Sequence, residues 1–445
     1  RSTPIKSSAA SDVYKRQRKK NEQALHPGQK QPYQGRLRPA ILLPSSHSFR
    51  VKHRPDHYHL GKIKYDSMNI LHTIASMDAK AGGPTTCTFD LATGLNALGC
   101  RTDILTIASG NRATSSIQAP FIKTVPFDAK TPLQISRHCR HFLQQNQQYD
   151  LYHTNGLWLD INHATCAAAR KFRKPCVLSS HGMLYPRALE RSFWRKKLIL
   201  SLGHRNDIAS ATCLHATCQK EMEFIRTFGY KGPIAVIPNP TPPVKWIDTI
   251  IENHSLKRIG FLGRLHPVKK ADKLIKAWKQ LGNKVADAEL ILMGEGTPEY
   301  EKYLKGLAAE CKYGHITFHG FVNGKAKFQE LANLKVLCLV SDFENFGMTV
   351  TEALSVGTPV IANTTTPWKD LNTHHCGWWI NATVDNIAIT IEKALHLSDK
   401  EIASMSIRGK RLVSDKYAAD KVAEMMATLY KWLLGECSKP EFVYE

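Results

Sequence analysis

DFENFGMTVTEALSVGTPVIAN, residues 342–363, carries two glutamates, Glu344 and Glu352, with seven residues between them. Upstream, the apolar run 335–340 has the character of a buried parallel strand, and downstream residues 348–356 have helical periodicity that ends at Gly357. The pair therefore straddles a strand-loop-helix junction. At a rise of ~1.5 Å per residue the helix geometry spaces the two carboxylates by roughly 12 Å, about the distance from the hydroxyls of a nucleotide-linked sugar to the ribose at its other end. Between them, around Gly347 and Met348, lies a helix N-terminus whose free N–H groups favour a diphosphate. Two glutamates at this spacing are otherwise common on solvated helix faces, so the surrounding residues decide the reading.

Those residues, Phe346-Gly347 after the first glutamate and Gly357-Thr358-Pro359 after the second, resemble the signature of retaining glycosyltransferases of family 4, the GT-B fold class also described as glycosyl transferases group 1. Further features of that family recur in order over residues 68 to 435. IGFLGRL at 259–265, followed by Lys269, is similar to the strand and loop that bring an Arg and a Lys to the donor diphosphate, with Lys270 where a glycine is usual. LILMGEG at 290–296 resembles the next strand and its glycine turn. MNILHTI at 68–74 has the pattern of a strand, Gly82-Gly83-Pro84 of a glycine loop, and residues 85–98 of a helix closed by Gly99. Glycine admits close backbone approach and proline suits a first helical turn; the loop's position resembles the family's loop facing donor phosphates and acceptor. CVLSSHG at 176–182 places His181 at a strand end, matching the family's histidine beside the reacting sugar, with His153 in YHTNG as a second candidate. Each of Arg264, Lys269 and His181 taken alone is compatible with ordinary surface charge or a structural histidine.

Strands alternating with helical patterns, as around 102–106, 151–154 and 213–216, call for parallel sheets covered on both faces. The expected architecture is α/β, GT-B: two Rossmann-like doubly wound domains facing across a cleft, over residues 68–240 and 241–418, with IPNP at 237–240 as the linker. Residues 419–436 are expected as a helix crossing back to the first domain. In such sheets ligands bind at the carboxyl ends of the strands, where every motif above falls.

Of the net charge of +23, residues 1–67 contribute +11. That leader is rich in Gln, Pro, Arg and His without periodicity and is expected to be disordered or non-native. DVYKRQ at 12–17 back-translates to a sequence resembling a transposon end used in sequencing libraries, which makes Met68 a candidate start; a basic arm for nucleic acid or an organellar leader is the rival reading. Eleven cysteines without a Cys-x-x-Cys pair point to a reducing cytoplasm rather than to disulfides or structural zinc. No run is long and apolar enough for a membrane span. RALERSFWRKKLIL at 187–200 mixes aromatic and basic residues, as an interfacial helix would; the alternative is a core helix with a solvated basic face.

The resemblance implies a hexosyltransferase drawing on a UDP-, GDP- or ADP-sugar. It assigns the catalytic roles to Glu344, His181, Arg264 and Lys269, and donor binding to these cations and Glu344 with Gly82, Gly83, Phe346, Gly347, Met348 and Glu352. No metal or other cofactor is expected, since the chain contains no Asp-x-Asp. The acceptor implied is a glycan or lipid-linked glycan in lipopolysaccharide, exopolysaccharide or capsule synthesis, because TPWKDL at 366–371 and CGWW at 376–379 have a bacterial style. The location implied is cytoplasmic, with a peripheral contact to an anionic inner membrane left open. No nucleic-acid partner is assigned. A sugar-nucleotide epimerase or phosphorylase on the same fold, and a basic nucleic-acid-binding protein, stand as alternatives.

Overall fold

The structure is a computed structural model, and it describes residues 68–78, 82–108, 117–128, 131–245, 247–254 and 256–445. The leader expected over residues 1–67 lies outside the described residues. All described residues belong to one compact unit, which holds two sheets.

The first sheet contains β1 (Asn69–Thr73), β2 (Arg101–Ile107), β3 (Ile122–Val125), β4 (Leu151–Asn155), β5 (Cys176–Ser179), β6 (Cys213–Ala216) and β7 (Ile234–Val236). The second contains β8 (Arg258–Leu262), β9 (Glu289–Met293), β10 (His315–Gly320), β11 (Val336–Leu339), β12 (Val360–Asn363) and β13 (Gly377–Ile380). The spatial orders are β3-β2-β1-β4-β5-β6-β7 and β10-β9-β8-β11-β12-β13, all parallel, with the order reversing beside β1 and beside β8. Sequence composition explains why these strands sit in the middle: β4, β5, β6, β11 and β12 are buried along their whole length, as parallel strands covered on both faces must be.

Successive side chains of each strand point to opposite faces. In the first sheet Leu71, Leu178 and Leu214 pack one way, with Ile161. Ile70, Val177 and Cys213 pack the other way, against Leu91, Met426 and Tyr430. Met426 and Tyr430 belong to the helix Ala419–Leu433, so this helix crosses from the second sheet to the first, as expected. One feature goes beyond the expectation: after that helix β14 (Val443–Tyr444) pairs antiparallel with β7 and closes the edge of the first sheet. The chain passes between the sheets twice, and the two passages are hydrogen-bonded side by side, Thr241 N–H to Tyr417 O at 2.8 Å and Ala419 N–H to Thr241 O at 3.0 Å.

The segment 187–200 corrects the core-helix reading. It is broken into Pro186–Glu190 and Phe193–Ile199, and within the second piece only Ile199 is buried. Phe193 (52% exposed), Trp194 (76%) and Leu198 (59%) face outward, where a core helix would turn them inward.

Candidate functional site

The loop after β11 begins the site. Gly347, at φ 87°, ψ 65°, is the N-cap of the helix Met348–Ser355. A Cβ there would lie 3.0 Å from Leu339 Cδ2 and 3.1 Å from Trp368 Nε1, so glycine is required by both conformation and space. Trp368 Nε1–H donates to Phe346 O at 2.6 Å, and Phe346 is buried against Trp368 and Tyr417. The buried phenylalanine anchors the loop and leaves Glu344 on one side of it and Glu352 on the helix.

From the neighbouring strand β8, the chain turns through Gly263 into Arg264 and then a short turn, Pro267–Lys269, capped by His266 accepting from Val268 N–H at 3.2 Å. The close packing of the strand ends depends on Gly294, whose absent Cβ would lie 1.9 Å from Gly263 O. Lys269 Nζ bonds Glu344 Oε1, which also accepts from Ser341 Oγ at 2.9 Å. Arg264 is exposed and has no hydrogen-bond or ion-pair partner among the described residues. His266 is held below its ordinary pKa by burial first and then by Arg264, Arg191 and Lys269, which marks this corner as cationic. Glu352 takes Lys327 Nζ at 2.8 Å.

Lys270 resolves the departure at the usual glycine position: the lysine itself adopts the left-handed conformation, φ 58°, ψ 34°. Its ammonium pairs with Asp342 at 3.1 Å, alongside Lys273 at 3.5 Å and Arg187 at 3.6 Å. Arg187 comes from the first domain. Other links across the cleft are Asn345 Nδ2–H to Thr217 Oγ1 at 3.1 Å, Lys220 Nζ to Thr365 O at 3.1 Å, and the Tyr185 and Phe343 rings at 4.7 Å. The loop bearing Glu344 thus touches the first domain directly.

On that opposite side His181 follows β5, partly buried, at φ 47°. Its turn is clamped by Glu221, a buried carboxylate accepting from Ser180 Oγ (2.7 Å), Gly182 N–H (2.6 Å), Thr217 N–H (2.8 Å) and Thr217 Oγ1 (2.9 Å). His181 Nε2 lies 3.1 Å from Asn155 Oδ1, and burial pushes its imidazole down to about 4. His153, by contrast, is wholly buried between Tyr430 and Ser179 and is part of the core. Gly82 and Gly83 open the helix Gly83–Ala97, and a Cβ on either would meet nothing within 4 Å. Further along that helix Asp90 is raised to about 7 by burial and then by the charge of Glu352. Asp90, Glu221, Asn155 and Lys327 carry no local motif that would mark them in the sequence.

Among the described residues one cluster has metal-ligand spacing, His163, His204 and Asp207. There Asp207 already bonds His163 Nδ1 at 2.6 Å and forms an ion pair with Arg170 at 2.8 Å.

The family described as Glycosyl transferase 4-like domain matches residues 82–240, and Glycosyl transferases group 1 matches residues 245–411. The chain is a GT-B-fold relative of the group 1 glycosyl transferases. An uncharacterised glycosyltransferase of Methanocaldococcus jannaschii is 28% identical over 179 residues, 39% of this chain and 45% of that protein. The chain thus spans less than half the length of that relative. D-inositol 3-phosphate glycosyltransferase of Xylanimonas cellulosilytica is 26% identical over 63% of this chain and 75% of its own. In fold, the GT-B relative resembles Anabaena HepE in complex with UDP-glucose (TM-score 0.64, 19% identity, covering 81% of this chain and 99% of that one). It also resembles sucrose-phosphate synthase of Thermosynechococcus elongatus (TM-score 0.66, 20% identity, 83% and 100%).

Proposed function

We propose that this protein transfers a hexose, with retention, from a nucleoside-diphosphate sugar to a glycan or lipid-linked glycan of the bacterial cell surface. The observation that carries the reading is the meeting of Lys269 and Glu344 from two adjacent strand ends, with Arg264, unpartnered among the described residues, on the same loop and the N-terminus of the helix Met348–Ser355 following Glu344. Breaking the sugar–phosphate bond puts negative charge on a diphosphate oxygen, and preorganised donors at that point lower the barrier most. Arg264, Lys269 and the helix N–H groups are assigned that work. Glu344 is assigned the donor sugar's hydroxyls, Glu352 the ribose and His181 the sugar's other side. Gly82 and Gly83 leave room for phosphates and acceptor. Retention follows if the acceptor hydroxyl enters on the face the diphosphate leaves, its proton passing to the departing phosphate. No metal is required in this scheme.

Because HepE is bound to UDP-glucose, UDP-sugars are the first donors to test. Protection from thermal unfolding across a panel of UDP-, GDP- and ADP-sugars should select one donor, since a bound ligand stabilises the fold by mass action. Release of nucleoside diphosphate only when acceptor is supplied then separates a transferase from an epimerase or phosphorylase. Release without acceptor, or protection by none of the panel, contradicts the proposal.

The acceptor's lipid character is supported by the outward segment 191–202. Phe193, Trp194, Leu198 and Leu202 are exposed beside Arg191, Arg195, Lys196 and Lys197, and Lys197 Nζ lies 5.4 Å from the Trp194 ring. Aromatic side chains within a basic face suit an anionic membrane surface. Flotation with phosphatidylglycerol vesicles but not phosphatidylcholine vesicles, lost in Trp194→Ala, is the expected result; equal flotation with both contradicts it. Among the described residues no helix is long and apolar enough to cross a membrane.

A further inference from the structure

One polar row crosses the first sheet just below its carboxyl ends, on the face covered by the crossing helix. Strand register produces it: His72 sits opposite His153, and Ser179 opposite His215, on neighbouring strands β1, β4, β5 and β6. The row is continuous. His215 Nε2 is 2.8 Å from Ile237 O, and its Nδ1 is 2.7 Å from Ser179 Oγ. Ser179 Oγ is 2.6 Å from His153 Nε2, and His153 Nδ1 is 2.6 Å from Tyr430 Oη. Tyr430 Oη is 3.0 Å from His72 Nε2, and His72 Nδ1 is 3.4 Å from Asn155 Nδ2. Asn155 Oδ1 then meets His181 Nε2.

The direction of every bond follows from one fixed end. A carbonyl only accepts, so His215 Nε2 must carry the proton. A neutral imidazole then accepts at Nδ1, which takes the single Ser179 hydroxyl proton. The Ser179 oxygen is left to accept from His153 Nε2–H, so His153 Nδ1 accepts from Tyr430. The Tyr430 oxygen accepts from His72 Nε2–H, and His72 Nδ1 accepts from the Asn155 amide, whose Nδ2 also faces Thr73 O at 3.4 Å. That orientation leaves Asn155 Oδ1 to accept from His181 Nε2–H. An imidazolium at His72, His153 or His215, each with partners on both ring nitrogens, would set two donors against each other. The imidazoles of His72, His153 and His215 are at most 5% exposed, where an unpaired charge is costly.

We propose that this buried row fixes the tautomer of His181, with the proton on Nε2 and the lone pair on Nδ1, and that Tyr430 and Ser179 are thereby positioning residues for it. Resting on the transferase reading, Nδ1 is then the acceptor for one donor-sugar hydroxyl. The row also ties His181 to both passages between the domains, through Ile237 at the start of the linker and Tyr430 on the crossing helix.

The test is long-range proton–nitrogen correlation on the full chain labelled with nitrogen-15 histidine, His181 being assigned by its loss in His181→Gln. Nε2–H patterns are expected for His72, His153, His181 and His215. Tyr430→Phe keeps the ring and removes the hydroxyl between His153 and His72. It should abolish the single tautomer at His72 and His181 and lower turnover about tenfold, while affinity for free UDP, which has no sugar, stays the same. Ser179→Ala should act in the same direction by cutting the row one step earlier. A wild-type His181 that is Nδ1–H or imidazolium, or a Tyr430→Phe protein with unchanged His181 signals, overturns the proposal. The expected tautomers in a protein that binds no nucleotide sugar uphold the row and overturn the reading of the cleft.

Discussion

Lys269 and Glu344 neutralise one another across two strand ends, while Arg264, on the same loop as Lys269, has no ion-pair partner among the described residues. If these cations hold the leaving diphosphate, their importance rises as charge develops, so turnover should suffer more than ground-state affinity. Arg264→Ala and Lys269→Ala are each expected to lose about 10² to 10³ in rate and remain folded, with wild-type activity persisting in excess chelator. Lys269→Ala should also lower stability by about 1–3 kcal/mol, because it strips a partly buried carboxylate of its main partner; circular dichroism should accompany the rates. Lys270→Ala should cost far less, since its ammonium faces Asp342 and not Glu344. Abolition by chelator, or equal losses at Lys270 and Lys269, contradicts the cationic site. The sequence made Lys269 legible through its place after a strand-end motif, and it marked Lys270 as a departure. That a lysine would take the left-handed backbone itself was not legible, because the strain of roughly 1–2 kcal/mol is offset by contacts with residues distant in the chain.

The junction around Gly347 was the most readable element, since strand, loop and helix each carry their own periodicity and punctuation. Gly347→Ala is expected to lower the melting temperature and impair donor binding, as the new methyl meets Leu339 and Trp368 on a backbone that disfavours it; unchanged melting contradicts this account of the loop. The polar row was not legible. Its members join residues as far apart as His72 and Tyr430, 358 positions away, and each looks like an isolated polar residue in an apolar strand. Its energetic consequence is testable. His72 is pushed down to about 3 and His181 to about 4, burial being the main cause, and His153 and His215 are lowered too. In the unfolded chain these groups titrate near 6.5, so between about pH 4 and 6.5 the unfolded state binds more protons. Stability is therefore fully present above that window and falls as pH drops through it. Asp90, raised to about 7 by burial, and His163, raised by its hydrogen bond to Asp207, act in the opposite sense, but His204 and His266 are lowered as well, so two groups stand against six. Unfolding free energies from urea titrations between pH 7 and 5 should fall by about 1 kcal/mol or more per pH unit; a flat or rising profile contradicts the neutral row.

At the scale of the whole molecule, two parallel sheets present their carboxyl ends to one cleft, and the chain joins them by two passages bonded to each other. Alternating strands and helices made the two-sheet architecture readable and the family resemblance implied the returning helix, whereas the antiparallel closing strand, only Val443–Tyr444, is too short to carry a signal. The outward Phe193 and Trp194 also required the structure, because amphipathic composition alone does not say which face is covered. The proposed division of labour in the cleft is the central claim, with Glu352 assigned to the nucleotide's ribose and Glu344 to the sugar beyond the diphosphate. Calorimetric titration of the free nucleoside diphosphate of the selected donor into wild type, Glu344→Gln and Glu352→Gln tests it most directly. The account predicts affinity weakened about tenfold or more in Glu352→Gln and kept in Glu344→Gln, and equal losses in both variants, or none in either, would contradict it.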